Sequence, residues 1–340
     1  MAGVLDVADL EITYRTARGA AKAVAGVSFR IATGEYLGLV GESGCGKSTI
    51  AKAILGILPA NGRVTGGRID FEGTDLVRVA PAELRRLRWS RLALVPQSAM
   101  NGFDPVYTIA QQMDEAIRAH AALPAEAREA RLRELFAMVG LDASRLADFP
   151  HQFSGGMRQR AMIAMAMVLD PTLVVADEPT TGLDVIVQDQ ILARIKEIHD
   201  RLGKTMLLIT HDMAVVAENC DRIVVMYAGK VMEHGGEAVF QAPWHPYTLG
   251  LCNAFPDIDD GDRELISIAG APPDLVDPPA GCRFAARCPF ATARCREAEP
   301  PLVEVAPGHV AACHHLDRVD AMRERARDPA TWLAAAAAVR

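Results

Sequence analysis

The apolar positions of the chain fall into two rhythms. Residues 4–14 and 24–31 alternate or run apolar, with Val27, Phe29 and Ile31 on one parity, and predict two opening strands. Tyr36-Leu37-Gly38-Leu39-Val40 is a short apolar run that stops at a glycine-rich turn. The period then changes: Ile50, Ala53, Ile54, Ile57 and Leu58 lie at i, i+3, i+4, i+7 and i+8, the stripe of a helix closed by Pro59 and Asn61-Gly62. Further buried-type strands are predicted at 92–95, 173–176, 206–210 and 223–226, with helical spacing between several of them. Such alternation predicts an α/β fold around a parallel sheet. Residues from about 98 to 168 hold helix formers and no good strand, and read as a helical insertion.

The texture shifts near residue 241. Ala242-Pro243-Trp244-His245-Pro246-Tyr247, and later Pro272-Pro273 and Pro278-Pro279, are loop or linker material, followed by an Ala/Arg-rich stretch around 317–339 that predicts a final helix. Two domains are therefore expected, 1–240 and 241–340. A chain of 340 residues, half of them hydrophobic, has room for both.

Charge narrows the partners. A formal net charge of −7, with no dense Lys/Arg run, argues against a nucleic-acid surface. The amino-terminal end shows no charged start followed by an apolar stretch and a small-residue cleavage site. The longest apolar candidate, around 161–168, is far short of the roughly 18–20 residues that span a bilayer. A soluble, cytoplasmic protein is expected. Seven cysteines make an odd count for a disulfide framework, and four of them, Cys282, Cys288, Cys295 and Cys313, crowd one stretch. In a reducing compartment that crowding points to metal ligation.

Two segments carry chemistry. Gly41-Glu42-Ser43-Gly44-Cys45-Gly46-Lys47-Ser48 fits G-x-x-x-x-G-K-[ST], between an expected strand and an expected helix. Glycines let successive N–H groups turn around phosphate oxygens, and the new helix offers its positive end to the same anion. Lys47 can reach the β- and γ-phosphates, and the Ser48 hydroxyl can ligate Mg²⁺. The second segment is the strand 173–176 ending in Asp177-Glu178: an Asp placed to hold Mg²⁺, then a Glu placed to activate a water. The blander reading, acids capping a strand at the surface, loses weight beside a phosphate loop.

His151-Gln152-Phe153-Ser154-Gly155-Gly156-Met157-Arg158-Gln159-Arg160 resembles the signature motif of ABC ATPases, with Phe153 and Met157 where Leu and Gln are commonest. Over roughly residues 4–240 the other motifs of that family stand in the same order. Tyr14 resembles the aromatic that stacks on adenine, and Gln97 the glutamine that links the site to a permease. Thr181-Gly182-Leu183-Asp184 resembles the loop crossing the dimer interface, and His211 the histidine that meets the γ-phosphate. The resemblance implies an ABC ATPase core with an antiparallel β portion and a helical subdomain at about 98–168. Its ATP seat would comprise Tyr14, Gly41, Ser43, Gly44, Cys45, Gly46, Lys47, Ser48, Thr49, Gln97, Asp177 and His211. Ser48, Gln97 and Asp177 are the implied Mg²⁺ ligands, and Glu178, His211 and Lys47 the implied catalytic groups. Ser154, Gly155, Gly156 and Met157 would serve ATP held by a partner copy, with Asp184 at the interface.

Pro243-Trp244-His245-Pro246-Tyr247-Thr248, Pro279-Ala280-Gly281-Cys282-Arg283-Phe284 and Arg287-Cys288-Pro289 resemble the C-terminal extension of dipeptide and oligopeptide importers. The spacing C-x₅-C-x₆-C-x₁₇-C is neither that of a zinc ribbon nor of a standard ferredoxin. Four thiolates suit a 4Fe-4S cluster, which resemblance to cluster-bearing members favours. Zn²⁺, with His309, His314 and His315 nearby, is the rival, and free buried thiols are the third reading. The resemblance as a whole implies an ATP-hydrolysing subunit at the cytoplasmic face of a membrane. Its expected partners are two permease subunits, a second ATPase subunit that makes a heterodimer, and a substrate-binding protein. Peptides are the implied cargo, with nickel or another small solute as the alternative. A soluble ABC ATPase acting on DNA or ribosomes, which usually carries a coiled-coil insertion or two cassettes, is the reading from another class. The C-terminal region could also act as a redox-sensing regulator.

Overall fold

A computed structural model describes residues 3–97, 102–254 and 266–338, with side chains to residue 333. Twelve strands form two sheets among the described residues. The first is antiparallel, in the order β2-β1-β4-β5, from β1 (Gly3–Thr16), β2 (Gly19–Ala32), β4 (Gly62–Phe71) and β5 (Thr74–Asp75). The second runs β11-β12-β10-β9-β3-β8-β7-β6. Its parallel centre comprises β3 (Tyr36–Val40), β6 (Leu92–Val95), β7 (Leu173–Asp177), β8 (Thr205–Thr210) and β9 (Arg222–Tyr227). β3, β7 and β8 are buried along their whole length, which explains why they read as continuous apolar runs rather than alternating ones.

The opening strands, the parallel strands and the antiparallel portion stand as the sequence predicts. The helix after the phosphate loop, Lys47–Ile54, stops earlier than its apolar stripe. The expected insertion begins at residues 98–101, which lie outside the described residues. From 109 onward it is helical, in Ile109–His120, Ala125–Met138 and Gly155–Ala166. The single final helix expected over 317–339 is instead two, Val319–Arg325 and Pro329–Ala338, because Pro329 cannot continue the first.

Residues beyond 241 join the edge of the larger sheet. β10 (Lys230–Gly235) turns antiparallel on β9, β12 (His309–Ala311) pairs with β10, and β11 (Val303–Ala306) pairs with β12. Among the described residues, three apolar clusters hold the molecule. One lies under the antiparallel sheet and the Lys47–Ile54 helix, and a second in the helical insertion. The third joins Val40 and Tyr227 of the central sheet to Tyr247, Phe284 and Trp332 of the C-terminal region.

Candidate nucleotide site

β3 ends at Val40 and the chain loops through residues 41–46 into the Lys47–Ile54 helix. Gly46 takes φ 107°, and a β-carbon there would sit 2.4 Å from the Ala23 carbonyl oxygen of β2. Only glycine allows the loop to lie this close to the neighbouring strand. Ser43 and Gly44 form its exposed crest, while Cys45, Gly46 and Lys47 are buried. The Lys47 ammonium donates to the carbonyls of Gly41 (2.6 Å) and Glu42 (3.0 Å), so its Nζ lies inside the loop. Cys45 Sγ is 3.6 Å from it, and burial raises that thiol. Tyr14 of β1 reaches the same helix, its hydroxyl donating to Thr49 Oγ1 at 3.3 Å.

β7 delivers the two carboxylates to this loop. Asp177 accepts from the Ser48 hydroxyl at 2.8 Å. Burial pushes its pKa up, against the lowering effect of that hydrogen bond. Glu178 turns out of the strand at φ 46°, a left-handed backbone that costs a non-glycine residue about 1–3 kcal/mol. Its N–H still pairs with the Ile209 carbonyl of β8, and its side chain is held on three sides. Gln97 Nε2 donates to Oε2 at 2.9 Å, Thr181 Oγ1 donates to the same oxygen at 3.0 Å, and His211 Nδ1 lies 3.6 Å from Oε1. Gln97 thus contacts Glu178 rather than the Ser48–Asp177 pair.

Ser154 N-caps the Gly155–Ala166 helix, its Oγ accepting from Met157 N–H at 3.3 Å. This helix packs so tightly that a β-carbon on Gly156 would come 2.6 Å from Val187. Val187 belongs to the helix Val185–Leu202, which Asp184 caps by accepting from Val187 N–H at 3.0 Å. Val185 and Ile186, at the start of that helix, are 72% and 70% exposed.

The four clustered cysteines line one small cavity, together with Phe284, Phe290 and Pro300. Burial raises Cys282 and Cys313 to about 11 and lifts Cys288 well above its ordinary value. No group of three or more His, Cys, Asp or Glu among the described residues is drawn together closely enough to hold a metal ion. Cys295 Sγ is engaged by His315 Nε2 at 3.5 Å and Thr292 Oγ1 at 3.6 Å. The metal centre expected from the crowding of the cysteines is not formed among the described residues: the four thiols share a cavity without a closed ligand set.

Three contributors to the site were not foreseen in it by the sequence reading. Thr181, read only as part of the interface-crossing loop, reaches Glu178, as above. Tyr247 and Arg287 both reach Glu42, a wildcard position of the phosphate loop: Glu42 N–H donates to the Tyr247 hydroxyl at 2.9 Å, and Arg287 Nη1 donates to Glu42 Oε2 at 2.7 Å. Arg287 stands beside Cys288, a neighbourhood that marked it only as part of a family-like segment.

Comparison with known proteins agrees with this geometry. A family model described as ABC transporter matches residues 24–181, and one described as oligopeptide/dipeptide transporter, C-terminal region, matches residues 233–295. The dimeric structure of a bacterial ABC transporter cassette superposes with a TM-score of 0.62 at 27% identity, over 68% of this chain and 98% of that one. A post-hydrolysis dimer of an ATP-binding cassette with ADP and Pi gives 0.61 at 26% identity, with the same coverage. Fold and site together define an ABC-type ATP-binding cassette. The dipeptide transport ATP-binding protein DppD of Bacillus subtilis is 43% identical over 94% of this chain and 96% of its own length. The oligopeptide transport ATP-binding protein OppD of Escherichia coli is 44% identical over 91% and 92%. The chain belongs to this family, the ATP-binding subunits of dipeptide and oligopeptide ABC transporters.

Proposed function

We propose that this chain is the ATP-hydrolysing subunit of an importer that takes up dipeptides or oligopeptides through membrane permease subunits. The carrying observation is the end of β7: Asp177 bonded to Ser48 beside the Lys47 loop, and Glu178 held by Gln97, Thr181 and His211, in a chain whose 233–295 region matches the peptide-transporter model.

The chemistry follows phosphoryl transfer to water. We assign Lys47, whose helix begins at the loop, to the β- and γ-phosphates, with the positive end of that helix serving the same anion. Ser48 and Asp177 suit Mg²⁺: a hydroxyl and a buried carboxylate whose ionised form burial opposes and a cation would favour. The ion, when bound, neutralises charge on the phosphate oxygens. Glu178 takes a proton from the attacking water. Gln97 and Thr181 both donate to Oε2, which fixes the carboxylate and leaves Oε1 to accept. We assign His211, beside Glu178, to stabilising the γ-phosphate.

Ser154, Gly155, Gly156 and Met157 serve ATP bound to a second cassette. One copy of each motif per chain requires pairing, and we assign the partner to a related ATPase subunit, making a heterodimer. ATPase work belongs to residues 1–240 and the family-specific extension to 241–340. No helix among the described residues is long and apolar enough to cross a membrane; we assign the chain to the cytoplasmic face, held there by its permease partners.

We assign the four cysteines of this cavity to a 4Fe-4S cluster on their resemblance to cluster-bearing members, and the sulfurs would have to draw closer than they stand among the described residues to close on it. Such a cluster would supply either one-electron chemistry or a structural cross-link, and Zn²⁺ only the latter. Loading must deprotonate thiols that burial raises, so protons are released on binding.

The test is co-purification with the permease subunits, reconstitution in vesicles, and uptake of labelled dipeptide against ATP. Peptide uptake that requires ATP and stops in the Glu178→Gln variant is expected. Hydrolysis without peptide uptake would overturn the cargo assignment, and metal analysis of the same preparation decides between iron, zinc and neither.

A further inference from the structure

Glu42 is held at three points. Its N–H donates to Tyr247, its carbonyl accepts from Lys47 Nζ at 3.0 Å, and its carboxylate accepts from Arg287 at 2.7 Å. Arg287 is 6% exposed and donates four hydrogen bonds. Its Nε donates to Ala269 O (2.9 Å), Nη2 to Ile268 O (2.8 Å), and Nη1 to both Glu42 and the Tyr227 hydroxyl (3.0 Å). Its guanidinium also lies over the rings of Tyr227 and Phe284. Only a planar fork with five donors can join two carbonyls, a hydroxyl and a carboxylate at once. A continuous run of contacts therefore leads from Cys288, on the cysteine cavity, through its neighbour Arg287 to Glu42 and the ammonium of Lys47.

We propose that Arg287 is a positioning residue for the phosphate loop, through which the packing of the cysteine-lined segment 282–290 sets nucleotide affinity. This rests on the reading of residues 41–48 as the ATP seat. Glu42 cannot move to admit or release phosphate without straining the Arg287 bond, so loop and segment share one equilibrium. By linkage, whatever the segment does to nucleotide affinity, nucleotide does to the segment.

The test uses the full chain, Mg²⁺ and a non-hydrolysable fluorescent ATP analogue. Equilibrium binding and hydrogen exchange of residues 282–290 are measured for the wild type, Glu42→Gln and Arg287→Lys, with thermal melts as the folding control. In the wild type, nucleotide slows exchange in 282–290. In Glu42→Gln, with an unchanged melt, affinity falls about 5- to 150-fold, the range of measured site-to-site couplings, and that slowing disappears. A merely structural ion pair would not make the slowing depend on nucleotide. Should Arg287→Lys fold poorly, Glu42→Gln decides alone, since the Glu42 side chain is 26% exposed and the amide keeps its shape. Wild-type affinity in Glu42→Gln, or no slowing in the wild type, overturns the proposal. A wild type that binds no nucleotide removes the ATP seat as well, which separates the two failures.

Discussion

Asp177 and Glu178 are consecutive acids with different surroundings, and the backbone is what separates them. Asp177 completes β7, is 7% exposed, and has its pKa raised by burial. Glu178, at φ 46°, swings to the side where Gln97, Thr181 and His211 converge. Replacing Asp177 by Asn should therefore split stability from function. The Ser48 hydroxyl keeps an acceptor while the charge that burial opposes is gone, so the melting temperature without nucleotide should stay the same or rise. Mg²⁺-dependent hydrolysis should drop by a factor on the order of 100 or more, since the metal loses its anionic ligand. Melting curves with and without Mg·ATP, beside a phosphate-release assay, read both effects; a variant that keeps Mg²⁺-dependent turnover would remove Asp177 from the metal. These two acids and the loop at 41–48 were legible because their chemistry is written in consecutive residues. Glu42–Arg287 was not: the partners are 245 residues apart, one at a wildcard position and the other in a proline-rich stretch with no periodicity to fold it mentally into place.

Among the elements, those with a clean period were foreseen and those built on irregular backbone were not. β4, Gly-Arg-Val-Thr-Gly-Gly-Arg-Ile-Asp-Phe, is buried only at Ile69 and Phe71 and shifts register around Gly66, so no apolar alternation announces it. β11 is mostly exposed and β12 has three residues, so neither announces itself, while the buried β10 hides behind Glu233 and His234, which interrupt its apolar run. The Gly155–Ala166 helix has its cap in its motif: Ser154→Ala removes the bond to Met157 N–H and should cost about 1 kcal/mol of stability by denaturant titration, the usual worth of an N-cap. Loss of hydrolysis far beyond what that destabilisation explains is expected if Ser154 also meets the partner's ATP; an equal, small loss of both would confine it to capping. The helix Pro246–Asn253 is capped by a base instead. His245 Nδ1 accepts from Tyr247 N–H at 3.0 Å, and burial lowers the imidazole to about 3. An unfolded histidine binds its proton near pH 6.5, so between about 6.5 and 3 the unfolded chain holds more protons and stability falls with pH. Between pH 6.5 and 5 the loss from this residue is on the order of 2 kcal/mol. The acid slope of melting temperature between those values should flatten in His245→Asn, whose side-chain oxygen can accept the same bond; an unchanged slope would place the titration elsewhere.

At the scale of the molecule, the phosphate loop and the signature helix rest on different apolar clusters. Cys45 and Ile50 pack under the antiparallel sheet, while Phe153 and Ile163 pack within the helical insertion. Each half carries one side of an ATP seat, and a second cassette turned head to tail would complete both. The surface agrees with that arrangement: Val185 and Ile186, apolar and β-branched, stand exposed directly after the Asp184 cap. Apolar neighbours left in water beside the loop we assign to the interface are what a nucleotide-dependent contact would cover. If ATP is the adhesive and hydrolysis the release, Glu178→Gln should trap the closed pair. With Mg·ATP, light scattering after gel filtration should show the variant at twice the monomer mass, alone or with its related subunit, while the wild type returns to monomer as ATP is consumed. Adding Ile186→Asp to Glu178→Gln should abolish the heavier species without altering the melt of the isolated chain, because Ile186 touches water rather than core and a buried unpaired carboxylate is costly only once the partner arrives. A Glu178→Gln protein that stays monomeric with ATP and every candidate partner would refute the clasp between Lys47 of one cassette and Ser154 of the next.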